Sequence, residues 1–586
     1  MGQKRWKMAE AVPQEAFTAL AGHSRLIAAL LWRRGIRTAA EADGFLHPSW
    51  DRDVHDPFLF LDMRKAVDRL MKAAKTGEKI VVHGDYDADG VSGSVVLHST
   101  LKAIGADVSV YLPHREKDGY GMNSPSIEKM AAEGTKVIIT CDCGISSGKE
   151  ITLAVSLGID VIVTDHHTLP PELPPAYAIL HPLREGETYP FRHLTGGGVA
   201  FKLCQALWKE AHLPEGHEKW LLDMVSISTV ADMGKLVGEN RALVHYGLVV
   251  LNKTKRLGLK TLIDGVRRDD EVLDAMSIGF RIAPRINAAG RMEHADAAFG
   301  LLTAETSEDA EVRAEVLHGH NTDRQKATAN IMEEAFVMGA AQATQSAIVV
   351  AGQGWPAALC GLVASKLVDE HYRPVIALGR QTRLSPLLEQ EGAGGVPSAA
   401  RYVGSGRSIP GFDVTGALRA CSEHIQKFGG HPAACGMTIV GDENFEAFKR
   451  AFVAHADATL GSADLTPSIE IEEEAAVHEV SVGLIRELKA LEPHGEGNPR
   501  PRFLLRGGRV ASSRQVGAEG KHLQLTVVDD KGGRLKLIGF GFGPRLVDLP
   551  IGGPIDAVVE LDLNEWQGRV EPQGRVVDIR TSEIQS

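Results

Sequence analysis

Four stretches of the sequence carry residue types from which a hydrolytic metal centre can be built. The first is His83-Gly84-Asp85-Tyr86-Asp87-Ala88-Asp89-Gly90. One or two Asp in such a place read as a solvated turn. Three at alternating positions beside a His repel one another unless a cation sits among them, and read as a hard-cation site. The second is Asp142, and the third is Asp165-His166-His167. The fourth is Asp232, at the end of the apolar run Ser228-Thr229-Val230-Ala231, where an unpaired carboxylate is costly. Taken together the donors are mostly oxygen with a few imidazole nitrogens and no thiolate. That set suits Mg²⁺ or Mn²⁺ better than a structural zinc. So many carboxylates suit two ions about 3.5–4 Å apart with one carboxylate bridging them. Such a pair activates a water and stabilises the leaving oxygen of an in-line displacement at phosphorus. The expected chemistry is phosphoester hydrolysis.

The first three stretches each follow a short β-branched run. Lys79–Val82, Val108–Tyr111, Val137–Thr140 and Asp160–Thr164 are expected strands, with helical spacing over Val91–Ile104 and Ser147–Leu157 between them. Alternation of this kind predicts a parallel sheet. Ligand sites of open α/β sheets lie at the carboxyl ends of the strands, where Asp85, Asp142 and Asp165 fall. Leu221–Val230 is expected as a buried helix ahead of Asp232. Residues from 1 to about 50 read as short helices, with a stripe from Phe17 to Leu31 ended by Arg33-Arg34-Gly35. A second α/β region runs from about 260 to 460, with strands expected at Ala347–Val350 and Pro374–Leu378 and a surface loop at Gln381–Ser398. Gly461–Pro467 reads as a linker. Beyond it Phe503–Ser512, His522–Asp529, Arg534–Phe540 and Ile555–Leu563 are evenly spaced short strands, expected to form a small barrel or sandwich.

Asp165-His166-His167 and the cluster His83 to Gly90 resemble the DHH phosphoesterase superfamily. Gly429-Gly430-His431-Pro432-Ala433-Ala434-Cys435-Gly436 resembles the G-G-H-x-x-A-x-G signature of its associated second domain. Arg281-Ile282-Ala283-Pro284-Arg285-Ile286-Asn287-Ala288-Ala289-Gly290-Arg291 is similar to the R-x-x-P-R-x-N-A-x-G-R segment of the RecJ single-strand exonucleases within it. Gly404 to Ser408, Gly495 to Pro499 and Arg34-Gly35-Ile36 fit the same branch, and the motifs fall in the right order along nearly the whole chain. The resemblance implies an α/β fold: a DHH parallel-sheet domain, a second α/β DHH-associated domain and an OB-like barrel. The expected division is 1–50 helical, 51–250 catalytic, 251–463 DHH-associated with a connecting helix, and 467–586 OB-like. It implies metal ligation by His83, Asp87, Asp89, Asp142, His166 and Asp232, with Asp142 as the bridge. Asp85 is either a further ligand or an orienter, and spacing does not rank it against Asp87. His167 is expected to contact the scissile phosphate. The implied activity is a single-stranded-DNA-specific 5′→3′ exonuclease using two Mn²⁺ or Mg²⁺ ions and releasing 5′-mononucleotides, in DNA repair and recombination. One departure stands out: Trp355-Pro356-Ala357-Ala358-Leu359-Cys360-Gly361 lacks the His of the family's W-H-P-G-V-I-G-like run.

Arginines support a nucleic-acid substrate. Arg281, Arg285 and Arg291 lie within eleven residues containing no acid, with Asn287 and Gly290 interleaved, and Arg suits bidentate phosphate contact. Ser405 and Arg407, flanked by glycines, read as an anion-binding turn, and Gly430-His431 as a close backbone approach with a polar contact. By resemblance these and Arg115 hold the 5′-terminal phosphate. Gly497 to Arg514 carries Arg500, Arg502, Arg506, Arg509 and Arg514 and no acid, the pattern of a barrel that tracks a single strand. Phe503, Phe540 and Phe542 default to the barrel core. Yet the whole chain of 586 residues has 64 Lys and Arg against 76 Asp and Glu, a net charge of −12. That total predicts weak nonspecific affinity for DNA, since the acid is concentrated in the site and the Arg in local tracks. Apolar residues make up 44% and charged residues 24%, which excludes a disordered chain. No apolar run is long enough for a membrane span, and the polar, basic start leads into no signal-type segment. Six Cys do not make a disulfide framework. A cytoplasmic monomer is expected, acting on single-stranded DNA beside a single-strand-binding protein and a helicase, with no membrane. Two rivals remain: a small-substrate DHH phosphodiesterase or oligoribonuclease, which lacks the barrel and the Arg281–Arg291 segment, and a non-catalytic replication scaffold, which has lost its carboxylates.

Overall fold

The computed structural model describes residues 4–268, 271–381, 400–461, 463–566 and 569–582. The chain opens on strand β1 (Arg5–Met8) and helix α1 (Arg25–Arg33). The catalytic sheet follows, with strands β2 (Ile80–Gly84), β3 (Val108–Tyr111), β4 (Val137–Cys141), β5 (Asp160–Thr164) and β6 (Ala178–Leu180). They are all parallel, in the order β3-β2-β4-β5-β6. Every residue of β2 and β4 is buried, as sheets covered on both faces require. Helices α2 (Ala88–Ala103), α3 (Gly196–Glu210), α4 (Leu222–Ala231) and α5 (Gly238–Leu251) pack on that sheet and on one another. Helix α6 (Ala283–Met292) and the 34-residue α7 (Ser307–Ala340) connect it to the second domain. Leu259, Ile286, Leu301 and Leu317 of this connecting layer share one core with the catalytic sheet.

The second domain holds β7 (Ile348–Gln353), helix α8 (Ala357–His371), β8 (Val375–Gln381), β9 (Arg401–Arg407), β10 (Lys427–His431) and β11 (Ala434–Val440). Its mixed sheet runs β10-β11-β9-β8-β7. Of the expected surface loop Gln381–Ser398, Gln381 ends β8 and the rest lies outside the described residues. Ser405 and Arg407, expected in a turn, instead lie in the last three residues of β9, which Arg407 ends. The glycines are needed there for packing: a Cβ on Gly404 would sit 2.1 Å from the Ala377 carbonyl oxygen, and one on Gly406 2.5 Å from Ile376 Cδ1.

Strand β12 (Ser468–Ile471) pairs in parallel with β1, so the N-terminal segment begins with a strand rather than with helix alone. The barrel consists of β14 (Phe503–Val516), β15 (His522–Val528), β16 (Arg534–Gly539), β17 (Pro554–Trp566) and β18 (Arg569–Thr581). Short β13 (Glu473–Glu474) adds to β14. The barrel closes because β14 pairs with both β15 and β17, while β16 pairs with β18. Leu20, Ile27, Leu30 and Leu31 sit in the barrel's own core with Phe503, Leu525 and Ile579, so the first 50 residues are not packed as a separate body. Arg241 on α5 locks this assembly to the catalytic domain by donating to the carbonyl oxygens of Phe45, Ala490, Leu491, Glu492 and Pro493. No helix among the described residues is long and apolar enough to cross a membrane.

Candidate active site and metal centre

Three strand ends and one helix end converge on a single acidic floor. Strand β2 delivers His83 and the loop Asp85–Asp87. Asp87 caps α2, its Oδ1 accepting from the N–H of Asp89 (2.9 Å) and Gly90 (3.1 Å). Gly90 is obligatory, because a Cβ there would lie 2.5 Å from the Asp85 nitrogen. Asp142 follows β4 in the left-handed region, φ +62°, which Asp tolerates better than most residues. Asp165, His166 and His167 follow β5. Asp165 Oδ1 accepts from both His backbone N–H groups and from the His167 ring (2.8 Å), and its Oδ2 accepts from Ile145 N–H. Asp232 is the residue that ends α4.

Ligating atoms within 4.8 Å of one another form three groups: Asp85, Asp87 and Asp142; Asp142, His166 and His167; and Asp89, His166 and Asp232. Asp142 and His166 each belong to two of them. His166 Nε2 lies 3.1 Å from Asp142 Oδ1 and 3.5 Å from Asp232 Oδ2. Among the described residues no Lys or Arg nitrogen comes within 4 Å of Asp85, Asp87, Asp89, Asp142 or Asp232; their charged contacts are with His166 and His167. Burial and mutual repulsion therefore push the carboxyls of Asp85, Asp87 and Asp142 up, and that of Asp232 to about 8. Burial holds His83 down at about 4. Asp165 is the exception. Burial raises it, but hydrogen bonds from His167 and Ile145 prevail and leave it at about 2. Burial works against the His167 cation, but Asp165 outweighs it and raises His167 to about 9.

Two residues of the expected ligand set also have surroundings of their own. Asp89 has both oxygens occupied by protein, Oδ2 by Gly196 N–H (2.8 Å), Oδ1 by Gly197 N–H (2.7 Å) and Ser228 Oγ (2.6 Å). His83 is fully buried, stands outside the three groups and rests its Nδ1 3.8 Å from Cys143 Sγ. His83 Nε2 and Asp85 Oδ1 are both buried and, among the described residues, have no hydrogen-bond partner. Sequence reasoning missed the residues that fix this arrangement. Gly196 and Gly197 begin α3 against the site: a Cβ on Gly196 would sit 2.5 Å from Asp142 Cβ, and one on Gly197 2.4 Å from Ser228 Oγ. The run Gly196-Gly197-Gly198 after Thr195 was the signal, a helix start with close backbone approach. Tyr120 Oη donates to the Asp142 carbonyl (3.2 Å) and lies 3.1 Å from His167 Nδ1, and nothing in its spacing announces that.

Above the floor a cleft of ≈ 1350 Å³ separates the two α/β domains. Tyr86, Arg115, Tyr120 and His167 line one wall, and Ala357, Ala358, Gly430 and His431 the other. Arg115 stacks over Tyr86 at 4.7 Å. Arg407 reaches helix α8, where a Cβ on Gly361 would meet its guanidinium at 2.9 Å and Ser405 Cβ at 3.6 Å. Gly430, φ +142°, sits in the β10–β11 hairpin, where a Cβ would be 2.4 Å from the Ala434 carbonyl oxygen. The segment Arg281–Arg291 divides. Arg281 makes a two-toothed ion pair with Glu271 (2.6 and 2.8 Å). Asn287 Oδ1 accepts from Ala88 N–H (2.8 Å), and Gly290 lets α6 approach Tyr86, so this half of the segment buttresses the acidic loop. Arg291 donates to the Ala358 carbonyl at the start of α8 (2.5 Å). Where the family run has its His, Pro356 caps α8, and Trp355 Nε1 binds Glu334.

The barrel's basic run is also partly neutralised. Its neighbours carry Asp562, Glu560 and Glu474 to Arg500 (3.1 Å), Arg502 (3.6 Å) and Arg506 (3.3 Å). Phe503 is core as expected, but Phe540 is 55% exposed, with His522 edge-on at 5.3 Å and Arg575 at 5.8 Å.

Comparison with known proteins agrees with this architecture. Residues 79–229 match the DHH family N-terminal domain, 344–456 the DHHA1 domain and 471–578 the RecJ OB domain. The single-stranded-DNA-specific exonuclease RecJ of Bacillus subtilis is 40% identical over 561 residues, covering 96% of this chain and 68% of that protein. The RecJ of Thermus thermophilus is 32% identical over 94% of this chain and 74% of its own length. The crystal structure of Thermus thermophilus RecJ in complex with Mn²⁺ superposes with a TM-score of 0.81 at 29% identity, over 99% of this chain and 80% of that one. Its Mg²⁺ complex gives 0.75 at 28% identity.

Proposed function

This chain belongs to the RecJ family of single-stranded-DNA-specific exonucleases, and from that premise we propose that it hydrolyses single-stranded DNA from the 5′ end with two divalent cations, releasing 5′-mononucleotides in DNA repair and recombination. The observation that carries the reading is the acidic floor: five buried or half-buried aspartates meet two imidazoles without a Lys or Arg between them, and Asp85 Oδ1 is left unpaired. Uncompensated carboxylates at that density demand cations. The donors are oxygen and imidazole, which fits Mn²⁺ or Mg²⁺, the ions named in the Thermus thermophilus complexes.

Asp85, Asp87, Asp142, His166 and Asp232 would hold the ions, with Asp142 shared. Bound there, two such ions supply an activated water and neutralise charge on the scissile phosphate. The remaining steps belong to the chain's own groups. Asp165 takes the Nδ1–H of His167 and keeps that ring protonated, leaving Nε2–H as a donor to a non-bridging phosphate oxygen. Asp89, grouped with His166 and Asp232, has a second task. It ties the first turn of α3 to the floor and, with Ser228, holds the wall that shapes Asp142. Arg115 on the floor's side of the cleft and Gly430 and His431 on the opposite wall would take the 5′-terminal phosphate, with Ser405 and Arg407 of β9 beside them. A terminal phosphate taken there places the first phosphodiester bond over the aspartates, which sets the 5′→3′ direction. The closed barrel supports a polymer substrate rather than a dinucleotide, with Phe540 as an exposed stacking surface.

The test is digestion of single-stranded DNA labelled at either end, in Mn²⁺ and in Mg²⁺, by wild type and Asp142→Asn. Early release of the 5′ label and loss of activity in the variant are expected. Early release of the 3′ label sinks the polarity, and undiminished activity in the variant sinks the site.

A further inference from the structure

Helix α7 buries a regular seam: Ala310, Ala314, Leu317, Asn321, Thr328, Ile331, Ala335 and Gly339 recur at intervals of three and four residues. The one gap in that rhythm is Arg324, three residues after Asn321 and four before Thr328. A seam position of this kind ordinarily takes an apolar side chain. Here it takes a half-buried guanidinium whose Nε is buried with no partner and whose other bond is a 3.0 Å donation to Asn321 Oδ1. Facing it from α6 is Arg285, which donates from Nε to His318 Nδ1 (3.0 Å) and from Nη1 to the Arg281 carbonyl (2.7 Å). Its bond to His318 Nδ1 leaves that ring neutral. Acids close by are already used, Glu271 by Arg281 and Glu293 by His320. Among the described residues no carboxylate lies within 4 Å of Arg285 or Arg324. Further along α6, Gly290 packs against Tyr86 and Arg291 donates to the Ala358 carbonyl, and Tyr86 and Ala358 both line the active cleft, so Arg285 stands on the helix that leads from that cleft.

Two guanidinia held together in a half-buried seam without a counter-charge are costly for folding alone. We propose that Arg285 and Arg324 form an anion subsite that takes a diester phosphate of the bound single strand, beyond the phosphate at the acidic floor. This rests on the exonuclease reading above. Arg324 is a binding residue here, since its free nitrogens would donate to the phosphate oxygens, while His318 positions Arg285.

The experiment uses the full chain, a 5′-phosphorylated oligothymidylate long enough to reach the barrel, and the variants Arg324→Met and Arg324→Lys. Binding is followed by fluorescence anisotropy over a range of salt concentrations, and folding by thermal unfolding. Arg324→Met should bind at least about tenfold more weakly. Its plot of log affinity against log salt should be shallower by about 0.7, one phosphate's worth of counterions. It should unfold at or above the wild-type temperature, because an apolar side chain completes the seam. Arg324→Lys should bind nearly as wild type. Wild-type affinity and slope in Arg324→Met overturn the proposal. So does weakened binding that tracks a lowered unfolding temperature and is not rescued by Lys. A wild-type protein that neither binds nor degrades the strand would instead refute the exonuclease reading, and the subsite with it.

Discussion

Gly196→Ala tests whether the first turn of α3 sets the position of Asp142. The added Cβ would lie 2.5 Å from Asp142 Cβ and 2.7 Å from its Oδ1. Carbon atoms in contact settle at about 3.5–4.0 Å, so Asp142 must retreat by roughly 1 Å. It cannot rotate freely, because its carbonyl receives Tyr120 Oη and its N–H donates to the Thr164 carbonyl. A displacement of that size at a reacting centre costs on the order of a hundredfold in rate, or about 2.7 kcal/mol of barrier. Stability should fall by between about 0 and 2.5 kcal/mol, since Ala in a helix gains roughly 0.5–1 kcal/mol over Gly against about 1–3 kcal/mol of overpacking. Gly198→Ala is the control, two residues along the same turn, where the new Cβ meets Leu194 Cδ2 at 3.3 Å and nothing of the site. The assay is kcat/KM on 5′-phosphorylated single-stranded DNA, with thermal unfolding of each variant. A Gly196→Ala enzyme within threefold of wild type, or a Gly198→Ala enzyme equally impaired, would refute the reasoning.

Other expectations follow from the same geometry. Asp232 has its carboxyl raised to about 8, so between the unfolded value near 4 and that point the folded chain binds more protons than the unfolded one. Stability of the metal-free protein should therefore fall as pH rises from about 4 to 8. Added Mn²⁺ should restore it most at the alkaline end, with protons released on binding, which calorimetry in buffers of different ionisation enthalpy would measure. Arg407→Ala should cost roughly 10- to 100-fold in kcat/KM on 5′-phosphorylated strands, the worth of a charge-assisted contact, and far less on 5′-hydroxyl strands. Arg281→Ala should change kcat/KM by no more than a few-fold, because Glu271 already occupies its guanidinium. Phe540→Ala should weaken binding of long strands by about 1–3 kcal/mol and leave hydrolysis of a dinucleotide unchanged, as anisotropy and dinucleotide turnover would show.

The catalytic sheet is legible in the sequence because its strands are buried on both faces and read as unbroken β-branched runs. Two of them run straight into a site residue, β4 into Asp142 and β5 into Asp165. Which aspartates remain free for a cation is not legible. Asp85, Asp87 and Asp89 look alike by spacing, yet Asp87 caps α2 and Asp89 is claimed by amides of α3, more than 100 residues later in the chain. Partners outside the runs hide the pairing of Arg502 with Glu560 and of Arg281 with Glu271, so runs without acid look more basic than the folded surfaces are. Strand β9 escapes because Gly404 and Gly406 mimic a turn, while close packing of the neighbouring strand is what requires them. Strand β1 escapes because its partner β12 lies at the far end of the second domain.

The most direct measurement is anomalous scattering at the manganese edge from crystals of this protein grown with Mn²⁺. Two peaks about 3.5–4 Å apart, both in contact with Asp142 and with Asp85 Oδ1 and His166 among their ligands, are the expected result. A single ion, or ions held without Asp142, would contradict the two-cation floor on which the account rests.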